Sequence, residues 1–350
     1  MTKLIIWGAY PATLKAVREG VSHINGLGDS LLWWLAALFP HFAQNGYSVE
    51  WGDCIDPSAY QERDQMSLLL LLDLPHTGSA ITRQLFELVP PSRRILMRLE
   101  PPAIAPASYN HHTLQMFGAL ARVEPSADDA VVRHVLDFNV PLETQLPALQ
   151  DPPMRRGLCA VSGHKRIVGP RGQLYRLREQ VYRQLATLPV SFTLFGSGWN
   201  RYVSGVDRFD WLMRKLGIRL QCMAPRGLNY KGPIPDKSDI IHHEYTVVIE
   251  NHIGATYLSE KPFDSLKYGV IPIYYGGVDL CAIGLHDIVF QARSVQDIIE
   301  IASNLPPVLP REVVQQRYLD WLSSPAARKF SIDQCQQDLI RLFNVVASHE

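Results

Sequence analysis

Close cysteine pairs are missing from this 350-residue chain. Cys54, Cys159, Cys222, Cys281 and Cys335 are an odd number, scattered, with no two at the spacing that metal ligation or redox chemistry uses. They read as free thiols of a reducing compartment. Net charge is missing too: 34 Lys and Arg stand against 34 Asp and Glu. That balance argues against a nucleic-acid binder, whose affinity rests on a basic face meeting phosphates. No apolar run approaches the roughly 20 residues needed to span a bilayer, and the start, MTKLIIWGAY, is too short in apolar residues for a signal peptide. The chain reads as a soluble cytoplasmic protein, with peripheral contact at the inner face of a membrane left open. It holds no internal repeat and no low-complexity tract.

What is present is alternation. Short apolar segments at 4–7, 48–51, 68–72 and 95–99 interleave with helical patterns at about 31–43 and 80–88. A second series follows, with strands expected at 158–161, 191–195, 247–249, 271–274 and 287–290 and helices at 174–186 and 259–268. Such alternation predicts parallel sheets with helices on both faces, an α/β fold of two Rossmann-like domains. The proline-containing segment 141–153 marks the boundary, because proline neither continues a helix nor joins a central strand. The expected division is 1–150, 151–310 and a helical tail, 311–350, packing back across the domains. Open α/β sheets bind ligands beyond the carboxyl ends of their strands, so two facing sheets place function in the cleft between them.

The stretch ENHIGATYLSEK, 250–261, ends one of these strands and crowds an acid, an amide, a phenol and an ammonium together. Glu250 and Asn251 follow the strand directly. Ser259 is placed to cap the next helix, with Pro262 in its first turn. A helix N-terminus joined by Lys261 suits an anion such as a diphosphate. Glu260 would be repelled by that anion and suits neutral hydroxyls such as those of a ribose, while Tyr257 offers one more donor. The alternative is a surface helix that Ser-Glu-Lys merely caps and solvates.

Residues 245–276, YTVVIENHIGATYLSEKPFDSLKYGVIPIYYG, resemble the signature of the alpha-1,3-fucosyltransferase family, glycosyltransferase family ten. The matching parts are an aromatic-led strand, Phe or Ile before Glu-Asn, a loop, Tyr-x-Thr/Ser-Glu-Lys, and Pro-x-Tyr/Val-x-Gly. The resemblance implies the GT-B fold and transfer of L-fucose from GDP-fucose to a glycan hydroxyl with inversion, without a required metal or other cofactor. It further implies that Asn251, Tyr257, Glu260 and Lys261 bind the donor, with Glu260 on ribose and Lys261 on phosphate, and leaves Glu250 either donor-side or structural. Thr256 and Pro262 depart from the pattern. A second match covers GLCAVSG (157–163), RLREQVYRQL (176–185) and FTLFGSGW (192–199), where Arg178 resembles the arginine that neutralises the diphosphate and Gly163 replaces an asparagine. The alternative, read without the family, is an exposed helix arginine. Gly196 and Gly198 either let backbone approach the nucleotide or make a turn.

In RILMRLEPPAIAP, 94–106, an apolar strand ends at Glu100 and two prolines force the chain out of the sheet. The family has a glutamate there, followed by prolines matching Pro102 and Pro106, and Glu100 resembles its general base. The alternative pairs Glu100 with Arg98 or Arg94. The acceptor loops match nothing; a surface polysaccharide or lipopolysaccharide is the expected class. GLGD at 26–29 lacks a third glycine, the pairs His111-His112 and His242-His243 lack a second cluster for a metal, and neither Asp128-Asp129 nor Asp207-x-x-Asp210 forms Asp-x-Asp. Trp33, Trp34 and Phe39 read as core.

Overall fold

Continuous apolar strands, rather than alternating ones, form when a sheet is covered on both faces. Two such sheets are present in the computed structural model, which describes residues 1–20, 23–24, 28–29, 33–56, 67–74, 79–149, 157–164, 172–200, 227–234, 236–307 and 309–348. In the first half, β1 (Thr2–Gly8) is followed by a short antiparallel ribbon, β2 (His23–Ile24) and β3 (Gly28–Asp29). Then come β4 (Tyr47–Trp51), β5 (Ser67–Leu72), β6 (Arg94–Arg98), β7 (Ala119–Arg122) and β8 (His134–Asp137). Apart from the ribbon these pair in parallel, in the order β4-β1-β5-β6-β7-β8. In the second half, β9 (Leu158–Val161), β10 (Phe192–Phe195), β11 (Tyr245–Ile249), β12 (Ile271–Tyr275) and β13 (Phe290–Gln291) form a parallel sheet ordered β10-β9-β11-β12-β13. All residues of β5 and of β11 are buried, as their sequences SLLLLL and YTVVI require.

Both sheets reverse direction at one place. The second strand lies on one side of the first and the third on the other, so crevices open between β1 and β5 and between β9 and β11. Each half has its own core, and the tail divides between them. The helix Arg311–Leu322 inserts Val314, Tyr318 and Trp321 into the second core, whereas Ile332–Ala347 crosses back and buries Cys335, Leu339 and Phe343 in the first. The expected boundary at 150/151 lies outside the described residues, as do Asp207, Asp210 and Cys222. Trp34 is buried in the first core and Phe39 packs against it. Among the described residues no helix is long and apolar enough to cross a membrane.

Four elements depart from expectation. β7 and β8 are strands that their sequences, ALAR and HVLD, barely announce: the first is alanine-rich and the second is a half-exposed edge. The last strand is only Phe290–Gln291, and residues 286–288 are a turn that follows the helical segment 281–285. The helix expected from Ser259 begins two residues later, at Lys261.

At the end of β6, Arg98 is fully buried and grips Asp129 with two bonds of 2.7 Å, while its guanidinium lies 3.8 Å from the centre of the Tyr109 ring. Asp129 also accepts from Arg122 at 2.5 Å. Arg94 instead bonds the carbonyls of Val89, Phe86 and Met116. Asp129→Ala is expected to destabilise the fold by about 3–5 kcal/mol, since it strands a buried guanidinium. Denaturant unfolding reads this, and an unchanged midpoint would show that the pair contributes nothing net.

Candidate functional site

The second crevice is built around an arginine. Helix Tyr175–Leu185 buries Tyr175, Arg178, Val181, Tyr182 and Leu185, a stripe at helical spacing, and Arg178 is the cation in it at 1% exposure. Its guanidinium bonds the carbonyl of Ile249 (3.0 and 2.5 Å), the carbonyl of Gly163 (3.2 Å) and Oδ1 of Asn251 (2.8 Å). It therefore bridges the ends of β9 and β11, and the reading of an exposed helix arginine does not hold. These acceptors are neutral, so none of them cancels the guanidinium's charge.

The loop after β11 is organised by Glu250, which is 0% exposed. Its carboxylate accepts from the Ser259 amide (2.9 Å) and from the Ser259 hydroxyl (2.9 and 2.7 Å), and lies 3.6 Å from the Lys261 ammonium. Of its two readings, this geometry favours the structural one. The Ser259 hydroxyl donates to Glu250 while its oxygen accepts from the Lys261 amide (3.4 Å) and ammonium (3.0 Å), Glu260 occupies the cap position without a side-chain bond, and Pro262 falls in the first turn of Lys261–Lys267. With 7 residues that helix has a small dipole, so cationic character at this end comes from Lys261 itself. Burial works against the ammonium, but Glu260 and Glu250 outweigh it and raise its pKa. Burial likewise opposes the Glu260 carboxylate, yet Lys261 and Lys237 hold its pKa below the ordinary value. Both groups are charged at neutral pH.

Beside them lies a cavity of about 180 Å³. Val161, Ile234, Ile240 and Val248 give it apolar walls, and Glu260, Lys261, Lys237 and Asp264 a charged rim. Lys237 and Asp264 pair at 2.6 Å. Neither was expected, although Asp264 stands four residues after Glu260, a helical repeat that could have flagged it. Gly196 lines the same cavity with φ +131°, and a Cβ there would come within 2.0 Å of the Ser162 carbonyl. Glycine is thus needed for the close approach of the β9 and β10 ends. The cavity's mix of apolar wall and charged rim suits a flat heterocycle carrying hydroxyls and a charged tail.

Tyr257 is 3% exposed and joins the core of the first half, although it follows a strand of the second. Its hydroxyl accepts from Asn251 Nδ2 at 3.3 Å. Burial, with Glu100, Glu250 and Glu260 nearby, raises its pKa far enough that it keeps its proton for donation. One residue before it, Thr256 donates to the Val123 carbonyl (2.8 Å) and to Glu124 (2.9 Å). The departure at this position therefore ties the loop to the first half of the chain.

Glu100 lies two residues past the end of β6, near enough to this loop to act on it electrostatically. Its charge raises the pKa of Lys261, Tyr257 and Tyr175, all from the second half. The two arginines that might have claimed it are turned elsewhere, Arg98 to Asp129 and Arg94 to backbone carbonyls. The structure thus gathers Glu100, Arg178, Asn251, Tyr257, Glu260 and Lys261 around one cleft, with Gly196 in the adjoining cavity wall and Glu250 beneath the loop. Among the described residues no three His, Cys, Asp or Glu side chains cluster as metal ligands would.

No known family model matches the chain and no curated protein matches it in sequence. Solved structures do. A crystal structure of alpha1,3-fucosyltransferase superposes with a TM-score of 0.50 at 15% identity, covering 100% of this chain and 91% of that one. The T4 phage BGT in complex with UDP and Mn2+ superposes with a TM-score of 0.51 at 11% identity, covering 99% and 100%. Two parallel, doubly wound sheets and full-length superposition on these structures give this chain the GT-B fold.

Proposed function

We propose that the chain is an inverting glycosyltransferase that moves L-fucose from GDP-fucose to a glycan hydroxyl, in alpha-1,3 linkage, on a surface polysaccharide or lipopolysaccharide. The observation that carries this reading is proximity across the cleft: the Glu100 carboxylate, just past the end of β6, is near enough to act electrostatically on Lys261 and Tyr257 of the second half. The proposed donor site comprises Arg178, Asn251, Tyr257, Glu260 and Lys261, with Gly196 in its wall and Glu250 bracing it. No cofactor enters the scheme.

In the reaction, Glu100 takes the proton of the acceptor hydroxyl as that oxygen bonds the anomeric carbon. The bond from that carbon to the diphosphate oxygen breaks on the opposite face, and the leaving nucleotide carries the electron pair. Arg178 and Lys261 offset the charge it develops. Glu260 accepts from ribose hydroxyls.

A nucleotide panel tests the donor. GDP at about 100 times its Kd is expected to stabilise the fold by about 2.7 kcal/mol in a thermal-shift assay. Stabilisation by UDP or CMP with no response to GDP would end the fucose reading and favour a transferase of another nucleotide sugar. Binding without donor hydrolysis or transfer would favour a non-catalytic nucleotide- or glycan-binding protein.

A further inference from the structure

Resting on the reading of Glu100 as base, we infer that Asp73 is a positioning residue that fixes the Glu100 backbone at the mouth of the first crevice. Asp73 is the first residue past β5 and is 0% exposed. Among the described residues it alone, outside glycine, has a positive φ, +47°. Glycine would adopt that conformation without strain, so the side chain there needs a reason.

The reason lies in what the carboxylate holds. Its Oδ1 accepts from the Leu99 amide at 3.3 Å, and its Oδ2 from the Glu100 amide at 3.2 Å and the Tyr10 hydroxyl at 2.8 Å. Pro101 and Pro102 have no N–H, so Leu99 and Glu100 carry the last donors of the chain leaving β6, and Asp73 takes both. Tyr10 comes from just past β1. One carboxylate therefore ties together the ends of β1, β5 and β6 where the sheet reverses direction. The other side of Glu100 is held too: the Tyr109 hydroxyl donates to its carbonyl at 3.1 Å. The same turn, Pro106–Tyr109, engages the residue after Asp73, since the Leu74 amide donates to Ser108 Oγ at 2.9 Å. A backbone held at both its amide and its carbonyl aims its side chain reproducibly, which is what a base at a cleft requires.

Asp73→Asn tests this, because asparagine tolerates positive φ while one oxygen is replaced by an amide that cannot accept. The expected result is a folded protein with kcat lower by about 10- to 100-fold. Its donor KM and GDP Kd should stay within about twofold of wild type, because no donor contact is altered. In a Glu100→Gln background the same substitution should cost nothing further, since it acts only through that side chain. Unchanged kcat, an equal loss of GDP affinity, or full additivity with Glu100→Gln would each overturn the inference. Should Asp73→Asn fail to fold, Tyr10→Phe carries the test, with an expected loss in kcat of about 2- to 10-fold at unchanged donor KM; unchanged kcat there overturns it as well. Full activity in Glu100→Gln alone would instead remove the base assignment on which the inference stands.

Discussion

Glu100→Gln is expected to lower kcat by about 10²- to 10⁴-fold while GDP binds as tightly as before. An acceptor hydroxyl is a weak nucleophile near neutral pH, and the amide can neither take its proton nor develop charge with it. The substitution is close to isosteric and leaves the contacts of the Glu100 amide and carbonyl, to Asp73 and Tyr109, in place. A change confined to kcat is the signature of an interaction made in the transition state alone. Parallel isothermal titration with GDP and turnover with GDP-fucose and an oligosaccharide panel would read it. Equal turnover in the variant would place the base elsewhere.

Removing the cations should act on the other parameter. Arg178→Ala and Lys261→Ala are each expected to weaken GDP binding by about 30-fold to 1,000-fold, the range for truncating one partner of a buried charged contact. The two differ in their side effects. Arg178 joins the Ile249 and Gly163 carbonyls, so its loss also loosens β9 from β11 and should lower Tm. Lys261 offsets the charges of Glu260 and the buried Glu250, so its loss leaves net negative charge beside the diphosphate and should weaken binding further. Arg178→Lys is the informative control. It keeps the charge but cannot reach three acceptors with a planar fork, and should recover only part of the affinity. Wild-type GDP affinity in Lys261→Ala would move the diphosphate away from this loop.

Much of the architecture was legible because it rests on local pattern. Runs such as Leu68–Leu72 and Tyr245–Ile249 are apolar throughout, which only a doubly covered strand tolerates. The weaker elements were not. Ala119–Arg122 is a strand because β6 and β8 flank it, not because its residues favour one. Ser259 has a partner that spacing cannot reveal. As an isolated signal it is a helix cap; in the fold its oxygen still accepts from the Lys261 amide, while its hydroxyl donates to a buried carboxylate nine residues earlier. Asp73, Glu124 and Lys237 were invisible for a related reason: each has a partner that lies 26 or more residues away in the chain.

By itself, the order of residues determined two parallel sheets, the separation of an acid near 100 from a cationic cluster near 260, and the crowding of functional groups at strand ends. Those are consequences of short-range periodicity and of what proline and glycine forbid. The tertiary structure alone decided that Arg178 turns inward, that Glu250 is buried against Ser259, and that Tyr257 crosses to the other core. It also decided that Glu100 is held by Asp73. Burial and pairing between distant segments set those outcomes, because a charge leaves water only where a partner from elsewhere in the chain is already in position to receive it.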